Sequence, residues 1–533
     1  MTDILFGQSY YLCFDPKLQA ARQPYPPLGS MYAAAYLRAR GYNVALFDAM
    51  LAASENEWAV ALERHQPRFA VLYEDNFNYL SKMCLRRMRE AAFTMIALAK
   101  ARGCTVILCG ADATDHAADY LARGADFVLI GEGEVTLGEL LDRLTPPREL
   151  SKPHPSTPSS SPLHVVQDRS ESAQDALHDI LGLAWQGGHT PRRPDITQLD
   201  DLPFPAWDLI DVARYRAIWL QQHGYYSLNM VTTRGCPYHC NWCAKPIWGQ
   251  RYHSRSPENV VAEMKWLKET YQPDHIWFAD DIFGLRPGWI ERFGQLAREQ
   301  AAVIPFKCLS RADLIKPAVV AGLKSAGCQT IWIGAESGSQ RILDAMEKGT
   351  TVQQIVEARR LLGNAGIEVA YFLQFGYPGE TRADLEATLA LVRATQPDDI
   401  GISVSYPLPG TKFYERVKAQ LGEKQNWDSS ADLAMLYQGP FTTEFYRQLH
   451  TVVHQEFRLH KGWEELKRVA RQPTHWRLRQ ARLIAAALYR WITLPWARWR
   501  LSRLEHRSPQ AVAPLPVTLS QQEAAQPSSQ SRS

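Results

Sequence analysis

Two blocks of the chain alternate short apolar runs with helical stretches, and this alternation limits the fold more than any other feature. Residues 1–145 contain five such runs: DILFG, YNVALFDA, FAVLYED, CTVILCGA and ADFVLIGEGE. Six more lie between Ser227 and Pro407: LNMVTT, HIWFAD, FKCLS, TIWIGA, VAYFLQFG and IGISVSY. Strands that alternate with helices form parallel sheets, because a parallel connection needs a crossover segment. The sequence therefore predicts an α/β protein in which a doubly wound sheet precedes a (βα)6 partial barrel.

The stretch from Thr145 to Pro162 separates the two blocks. It holds six Pro and five Ser in 18 residues, a composition that cannot form a core and indicates a linker. The predicted domains are a doubly wound domain (1–145), a Pro/Ser-rich linker (146–200), a partial barrel (201–425), a helical C-terminal region (426–507) and a disordered tail (508–533).

Composition and charge exclude several classes of protein. Hydrophobic residues make up 46% and charged residues 22% of the 533, which is typical of a globular chain. The net charge of +3 does not indicate a nucleic-acid partner. The N-terminus shows no secretory signal and no run reaches the ~20 apolar residues of a membrane span, so we expect a cytoplasmic location. Thiols that cluster in such a reducing compartment indicate metal ligands or catalysts.

Three cysteines stand close together directly after a predicted strand. Cys236, Cys240 and Cys243 have the spacing C-x3-C-x2-C, and Gly235 and Pro237 suit a tightly wrapped loop. Three thiolates can bind three irons of a cubane iron–sulfur cluster, and the fourth iron can then bind a small molecule. A structural zinc site is the alternative, with His239 or His253 as a fourth ligand.

This loop resembles the hallmark of the radical S-adenosylmethionine (AdoMet) superfamily, whose cysteines follow the first strand of a (βα)6 partial barrel. The resemblance implies a [4Fe–4S] cluster on Cys236, Cys240 and Cys243, with AdoMet on the open iron. It also implies that Trp242, just before the third cysteine, lies against the adenine of AdoMet.

Polar motifs at the ends of later barrel strands match further AdoMet contacts of the superfamily. The resemblance implies contacts to the amino group, the carboxylate, the ribose and the adenine, in that order, from Asp280 and Asp281, Arg311, Glu336 and Ser337, and Gly376 and Gly379. An arginine fork suits a carboxylate, and glycine allows close backbone approach. Each motif also has a plain structural interpretation, as a turn cap, a surface ion pair, a helix N-cap or a tight turn.

The N-terminal block resembles the cobalamin-binding subgroup of these enzymes, in which a Rossmann-like domain precedes the barrel. The matching motifs are Tyr25–Ala49, GADATDHAADYL with GADFVLIGEGEVT, and LDDLPFPAWDLI. This resemblance implies cobalamin contacts at Gly110, Thr114, Gly131 and Glu132, although GEGE could be an ordinary turn. The motif D-x-H-x-x-G is absent, so we expect cobalamin without a histidine ligand to cobalt. A domain that no longer binds the corrin is the alternative.

The resemblance implies an enzyme that reductively cleaves AdoMet to functionalise an unactivated carbon, although no catalytic residue can be assigned. C-methylation of a hydrophobic, isoprenoid or tetrapyrrole-like substrate is the expected reaction, as in the hopanoid-modifying and C-methyltransferase group. An oxidative cyclase of the anaerobic magnesium-protoporphyrin monomethyl ester cyclase type is the first alternative, and a non-catalytic corrin- or metal-binding sensor is the second. An electron donor such as flavodoxin or ferredoxin is an expected partner.

Residues 471–507 form a basic, tryptophan-rich segment with nine Arg, four Trp and a single acid, Glu505. Two interpretations remain open. The segment is either an amphipathic helix in peripheral contact with the inner face of an anionic membrane, or a helix packed on the barrel with arginine stems covering it.

Overall fold

The structure is a computed structural model of the 533-residue chain, and it describes residues 2–78, 85–145, 177–245, 247–471 and 478–506. The predicted disordered tail, 508–533, and residues 146–176 of the predicted linker lie outside the described residues.

The N-terminal domain is built on a seven-stranded sheet with the order β2-β1-β3-β4-β5-β6-β7. Its strands are β1 (Ile4–Gly7), β2 (Val44–Leu46), β3 (Phe69–Tyr73), β4 (Thr105–Cys109), β5 (Phe127–Leu129), β6 (Leu183–Trp185) and β7 (Gly188–His189). The first five strands are parallel, and their order reverses between β1 and β3. This arrangement confirms the predicted doubly wound sheet and places its topological switch point at β1 and β3.

Helices cover both faces of this sheet, and alternate residues of each strand pack on opposite layers. Leu5, Leu72 and Val106 belong to one core cluster, whereas Phe6 and Ile107 belong to the other. Burial on both faces explains why these strands read as continuous apolar runs. The helices are α1 (Pro16–Ala21), α2 (Leu28–Ala39), α3 (Asn56–His65), α4 (Arg86–Lys100), α5 (Ala111–Asp115), α6 (Ala117–Ala122) and α7 (Glu134–Leu144).

The described part of the predicted linker differs from the prediction. Residues 183–189 form a hairpin whose first strand, β6, pairs antiparallel with β5. Its turn includes Gly187, at φ +94°. Strands of two and three residues are too short to show a period of two, so no sequence pattern predicts them. Residues 177–200 are therefore joined to the N-terminal sheet.

The second domain contains six parallel strands, as predicted for a partial barrel. They follow the order β15-β14-β13-β12-β11-β8, so that β8 and β15 are the edges of an open sheet. The strands are β8 (Ser227–Met230), β11 (His275–Phe278), β12 (Phe306–Ser310), β13 (Cys328–Glu336), β14 (Glu368–Phe375) and β15 (Asp399–Val404). A separate two-stranded hairpin consists of β9 (Thr233–Arg234) and β10 (His253–Ser254).

Local signals in the sequence explain where the barrel helices begin and end. The Ser256 side chain caps α9 before Pro257, and Thr351 with Gln354 forms a capping box at α13. Gly327 ends α11 at φ +96°. The helices are α8 (Val212–His223), α9 (Pro257–Tyr271), α10 (Trp289–Glu299), α11 (Pro317–Ala326), α12 (Gln340–Ala345), α13 (Val352–Asn364) and α14 (Arg382–Thr395).

The C-terminal region contains α15 (Lys412–Val417) and two long helices, α16 (Thr443–Arg471) and α17 (Leu478–Glu505). The described part of the basic segment therefore forms a helix, α17, and one face of α17 packs on α16. A Cβ added at Gly462 of α16 would lie 2.3 Å from the Cβ of Ala487, and Gln448 donates to the Ala497 carbonyl at 2.9 Å. Among the described helices, none is both long enough and apolar enough to cross a membrane.

We expect that Gly462→Leu destabilises the protein by about 1–3 kcal/mol, because overpacking would force α16 and α17 apart. Thermal unfolding followed by circular dichroism measures the change. The control is Gly422→Leu, since a Cβ at Gly422 meets no atom within 4 Å. Equal unfolding of the two variants would contradict the close helix contact.

Candidate active site

The three cysteines lie on the loop between β9 and β10, directly after the first barrel strand. The hairpin closes the base of this loop by pairing Thr233 with Ser254 and Arg234 with His253. Gly235 adopts φ +81°, and a Cβ there would lie 2.3 Å from the Arg251 carbonyl oxygen. The loop therefore requires glycine at this position.

The cysteine thiols are half-buried and lie near cationic side chains. Burial raises the pKa of Cys236 and raises that of Cys243 to about 12, while the charge of Lys245 acts to lower both. Arg311 Nη1 lies 3.8 Å from Cys240 Sγ. These cations would offset the negative charge of a thiolate ligand set.

The arrangement of the thiols bears on which metal they could hold. Within the described ranges, no three His, Cys, Asp or Glu side chains converge on a single ion. A structural zinc needs four ligands around one ion, whereas a cubane cluster binds each thiolate to a different iron. The two alternatives therefore require different arrangements of the same thiols around the metal.

Asn241 fastens the cysteine loop to the barrel. Its backbone N–H donates to Met346 at 3.0 Å, and its side chain donates to Ala345 at 2.8 Å. It also accepts hydrogen bonds from the Tyr377 hydroxyl at 2.9 Å and, through its carbonyl, from Phe413 at 3.0 Å. Sequence reasoning missed this residue, because an asparagine in a loop gives no signal of distant partners.

Trp242 lies beside this anchor and packs against the cluster formed by Ile342, Met346, Tyr377 and Phe413. Its indole Nε1 is buried and has no hydrogen-bond partner among the described residues. A buried donor without an acceptor costs about 1–3 kcal/mol. The ring nitrogens of an adenine are acceptors of the required kind, so this residue fits its predicted role.

Asp280 and Asp281 differ in their surroundings. The Asp280 carboxylate accepts four hydrogen bonds of 2.7–3.0 Å from the backbone and hydroxyl groups of Thr232 and Thr233, and burial raises its pKa to about 6. Four donors use the capacity of a carboxylate, so Asp280 holds the strand that leads into the loop. Asp281 is exposed, and it lies close enough to Cys236 and Cys243 for its charge to interact with theirs. Of the predicted pair, Asp281 remains the candidate for the AdoMet amino group.

Arg311 lies against the cysteine loop, with its guanidinium 3.6 Å from the centre of the Tyr238 ring. It also donates to Asp313 at 3.0 Å and to the Lys348 carbonyl at 2.8 Å. The structure thus contains the ion pair with Asp313 that was the plain interpretation, and it also brings Arg311 to Cys240. Its contact with the AdoMet carboxylate remains a prediction.

Glu336 and Ser337 end β13 in different environments. Glu336 adopts φ +56°, an uncommon conformation for a residue with a side chain, and its carboxylate accepts from Lys348 at 2.8 Å. Lys348 is also close enough to Cys240 for the two charges to interact. Sequence reasoning did not select Lys348. The Ser337 hydroxyl is bonded to Thr388 at 3.1 Å, which ties it to α14. Their ribose contacts remain predictions.

The loop after β14 is held by the C-terminal region. Gly376 and Gly379 adopt φ +78° and +80°. The Gly376 N–H donates to Glu380 at 2.8 Å, and its carbonyl accepts from the Tyr437 hydroxyl. The Tyr446 hydroxyl of α16 donates to the same Glu380 carboxylate at 3.1 Å. The adenine contact of the two glycines stays a prediction, and three supporting residues were not visible in the sequence.

The GEGE turn of the N-terminal domain joins the two domains. Arg234, directly before Gly235, donates to Glu132 at 2.9 Å and to Glu134 at 2.7 Å. All three side chains are only 4% exposed. Trp248 also donates to Glu132 at 2.9 Å. The Glu132 carboxylate therefore takes part in the domain interface, and its contact with cobalamin remains a prediction.

The other predicted corrin residues surround this turn. Thr114 accepts a hydrogen bond from the Gly131 N–H at 3.2 Å. A Cβ at Gly131 would lie 3.0 Å from Arg192, and one at Gly110 would lie 2.8 Å from the Glu74 Cβ. These residues support the loops at the carboxyl edge of the sheet, and their contacts with cobalamin remain predictions.

The switch point of this sheet carries unsatisfied polar atoms. Gln8 Nε2 and Tyr10 OH follow β1, Glu74 Oε2 follows β3, and all three atoms are buried without a partner in the described structure. The other Glu74 oxygen accepts from the Ser9 N–H at 2.9 Å, and burial raises the pKa of Glu74 to about 7. Buried polar groups are normally bonded, and doubly wound sheets bind ligands at this position. The edge therefore fits a ligand rich in amides, such as a corrin.

Two comparisons with family models agree with this geometry. Residues 230–392 match the radical SAM superfamily, and residues 18–141 match the B12 binding domain. The chain therefore carries a radical SAM domain, with a B12 binding domain ahead of it. It is an enzyme, which sets aside the sensor alternative, and its cofactors are a [4Fe–4S] cluster, AdoMet and cobalamin.

Curated relatives show a more distant similarity. The chain is 30% identical to an uncharacterized methyltransferase of Pyrococcus horikoshii, over 54% of this chain and 57% of that protein. It is 23% identical to the anaerobic magnesium-protoporphyrin IX monomethyl ester cyclase of Synechocystis over 76% of each chain. It is 23% identical to the hopanoid C-3 methylase of Methylococcus capsulatus over 82% of this chain and 77% of that protein. For the Pyrococcus methyltransferase and two further curated relatives, the match spans only about half of the relative's length, 43–57%.

Solved structures share the fold at low identity. The cobalamin-dependent AdoMet radical enzyme OxsB, with aqua-cobalamin and AdoMet bound, has a TM-score of 0.67 at 16% identity, covering 96% of this chain and 76% of that one. The radical AdoMet methyltransferase TsrM from Kitasatospora setae, with cobalamin and a [4Fe–4S] cluster, has a TM-score of 0.58 at 18% identity, covering 79% and 78%.

We expect that Arg234→Gln costs about 3–5 kcal/mol of stability, because it would leave two buried glutamates without their cation. Urea unfolding measures the loss, and limited proteolysis should show easier cleavage between the domains. The control is Arg251→Gln. Arg251 also belongs to the cysteine loop, but its side chain is 62% exposed. Indistinguishable unfolding of the two variants would rule out the interdomain role of Arg234.

Glu380 should make stability depend on pH. Burial raises its pKa from 4.5 to about 8, so the folded protein keeps a proton that the unfolded chain releases. This contribution to stability is complete below about pH 4.5 and is lost as the pH rises towards 8. Glu380→Gln cannot ionise, so its stability relative to the wild type should increase between about pH 5 and pH 8.

Urea unfolding of both proteins across this pH range checks the Glu380 prediction. Glu291→Gln, on the exposed surface of α10, is the control, and its difference from the wild type should stay constant. If the difference in stability between Glu380→Gln and the wild type is also constant across this range, the buried carboxyl does not titrate in it.

Proposed function

We propose that the enzyme is a cobalamin-dependent radical AdoMet methyltransferase that methylates carbon in a hydrophobic, isoprenoid or tetrapyrrole-like substrate. One observation carries the proposal: Arg234 joins the cysteine loop directly to Glu132 and Glu134 of the B12 binding domain. The cysteines that would bind the cluster and the domain that would bind cobalamin are thereby held in one fixed arrangement.

The residues of the chain have distinct roles in this proposal. Cys236, Cys240 and Cys243 would hold the cluster, and Asn241 and Asp280 position their loop. When bound, the reduced cluster supplies the electron that cleaves AdoMet, and cobalamin serves as the methyl carrier. Trp242, Asp281, Arg311, Glu336, Ser337, Gly376 and Gly379 are the candidates for binding and orienting AdoMet.

An aromatic surface on the barrel supports a hydrophobic substrate. Trp332 and Phe372, on neighbouring strands β13 and β14, stack with ring centres 4.6 Å apart. Phe372 is 39% exposed, whereas its chain neighbours Tyr371 and Leu373 point into the buried core. Gly401 of β15 lies beside both rings, and a Cβ at this position would lie only 3.2 Å from each of them. Because glycine has no side chain, it leaves this space open. Flat apolar molecules bind well on such surfaces.

The oxidative cyclase reaction is the second candidate. It is favoured by the similarity to the Synechocystis cyclase, which extends over 76% of each chain. The cofactor-binding loops are compatible with both reactions, because the two differ in what happens to the substrate after activation.

Two partners belong to the proposal. A one-electron donor such as flavodoxin or ferredoxin is needed, because reductive cleavage of AdoMet consumes an electron. We also expect peripheral contact with the inner face of a membrane through the basic C-terminal helix, consistent with a hydrophobic substrate.

The test is reconstitution of the full-length protein without oxygen. We expect about four irons per chain and formation of 5′-deoxyadenosine from AdoMet. Replacing Cys236, Cys240 and Cys243 with Ala should abolish both, because no ligands would remain on the loop. Cys13→Ala, which removes a half-buried thiol of the N-terminal domain that contacts the Ala52 carbonyl, should retain both. A colourless, zinc-loaded wild type would refute the cluster.

Cobalamin and methyl transfer need separate measurements. The absorption spectrum of bound hydroxocobalamin should lack the signature of a histidine ligand. AdoMet labelled on its methyl group should transfer that label to the bound corrin. A protein that makes 5′-deoxyadenosine but never labels the corrin would favour the cyclase over the methyltransferase.

A further inference from the structure

The outer face of α17 carries large apolar side chains in contact with solvent. Leu488, Tyr489, Ile492, Trp496 and Trp499 are 46–70% exposed. Leu488, Ile492, Trp496 and Trp499 recur at intervals of four, four and three residues, which places them on one stripe of the helix. Single exposed apolar residues need no explanation, but a continuous stripe of this size marks a binding surface.

The packing of α17 does not account for this stripe. Leu494, Ala497, Leu501 and Leu504 are its buried apolar side chains towards the core, and they lie on the opposite side of the helix. The stripe therefore remains open after α17 has docked on α16.

Arginines accompany the stripe. The Arg500 guanidinium lies 5.8 Å from the Trp496 ring centre, and that of Arg503 lies 4.1 Å from the Trp499 ring centre. Glu505 is the single acid of the helix, and it is paired with Arg382 at 3.2 Å. The face thus combines aromatic rings with positive charge.

We propose that this outer face of α17 binds the surface of an anionic phospholipid bilayer. Aromatic rings suit the boundary between headgroups and acyl chains, and arginines attract anionic headgroups. The helix has 28 residues and is about 42 Å long at 1.5 Å per residue. Because the stripe runs along the helix, α17 would lie parallel to the bilayer surface. This inference gives the residues and the lipid chemistry for the peripheral contact proposed above, and it does not depend on the reaction.

A second copy of the chain is a less suitable occupant. Pairing two such faces would bring Arg500 and Arg503 of both copies together without a facing acid, and like charges across an interface oppose association. An anionic bilayer offers the opposite charge.

The experiment is sedimentation of the reconstituted full-length protein with vesicles of phosphatidylglycerol or of phosphatidylcholine. The wild type should bind the anionic vesicles and not the neutral ones. Arg500→Gln with Arg503→Gln should weaken binding at least about tenfold, since two basic residues leave the surface. Trp496→Ser with Trp499→Ser should weaken it similarly, while iron content and AdoMet cleavage stay unchanged.

Two matched controls make the result specific. Arg64→Gln with Arg360→Gln removes the same charge from other exposed surfaces, and Val60→Ser with Leu220→Ser removes exposed apolar side chains elsewhere. Both should bind like the wild type. Three outcomes would each overturn the proposal. The controls could lose as much vesicle binding as the α17 variants, or the wild type could bind neutral vesicles as well as anionic ones. The third is a wild-type dimer that the α17 variants convert to monomer. Loss of AdoMet cleavage with intact lipid binding would instead affect only the proposed reaction.

Discussion

The buried contact of Arg234 with Glu132 and Glu134 is the interaction on which the arrangement of the active site depends. Removing three charged groups from water is expensive, and their mutual attraction compensates only when the geometry is good and further hydrogen bonds are present. Here Trp248 and the Ile196 N–H supply those additional bonds to Glu132. Because the arginine directly precedes the cysteine loop and the glutamates follow β5 of the B12 binding domain, the domains can satisfy these charges only in one relative position.

The sequence predicted what local patterns determine. Strand and helix alternation and the spacing of Cys236, Cys240 and Cys243 are encoded within a few residues. The partners of Glu132 and Asp280 are not: Arg234 lies 102 positions from Glu132, and Thr232 lies 48 positions before Asp280. A carboxylate at the end of a strand can face a cofactor or another loop, and only the tertiary structure decides between them.

Local rules are broken where ligands are expected. Trp242 and the residues after β1 and β3 bury polar atoms that have no partner within the described ranges, and Glu336 adopts a strained backbone conformation. Folded proteins accept such costs mainly at functional sites, where bound molecules or mechanism compensate. These departures lie at the ends of strands or in the loops that follow them, where the two resemblances place AdoMet and cobalamin.

The C-terminal region connects the lipid-facing surface to the proposed AdoMet site. Tyr446 of α16 bonds to Glu380, which holds the Gly376 backbone, and the same helix carries α17 through Gly462. The two long helices thus join the exposed stripe to the loop after β14 by direct contacts. If α17 lies on a bilayer, this connection fixes which side of the barrel faces the lipid. A hydrophobic substrate dissolved in that bilayer would then meet an enzyme whose orientation is set before the substrate binds.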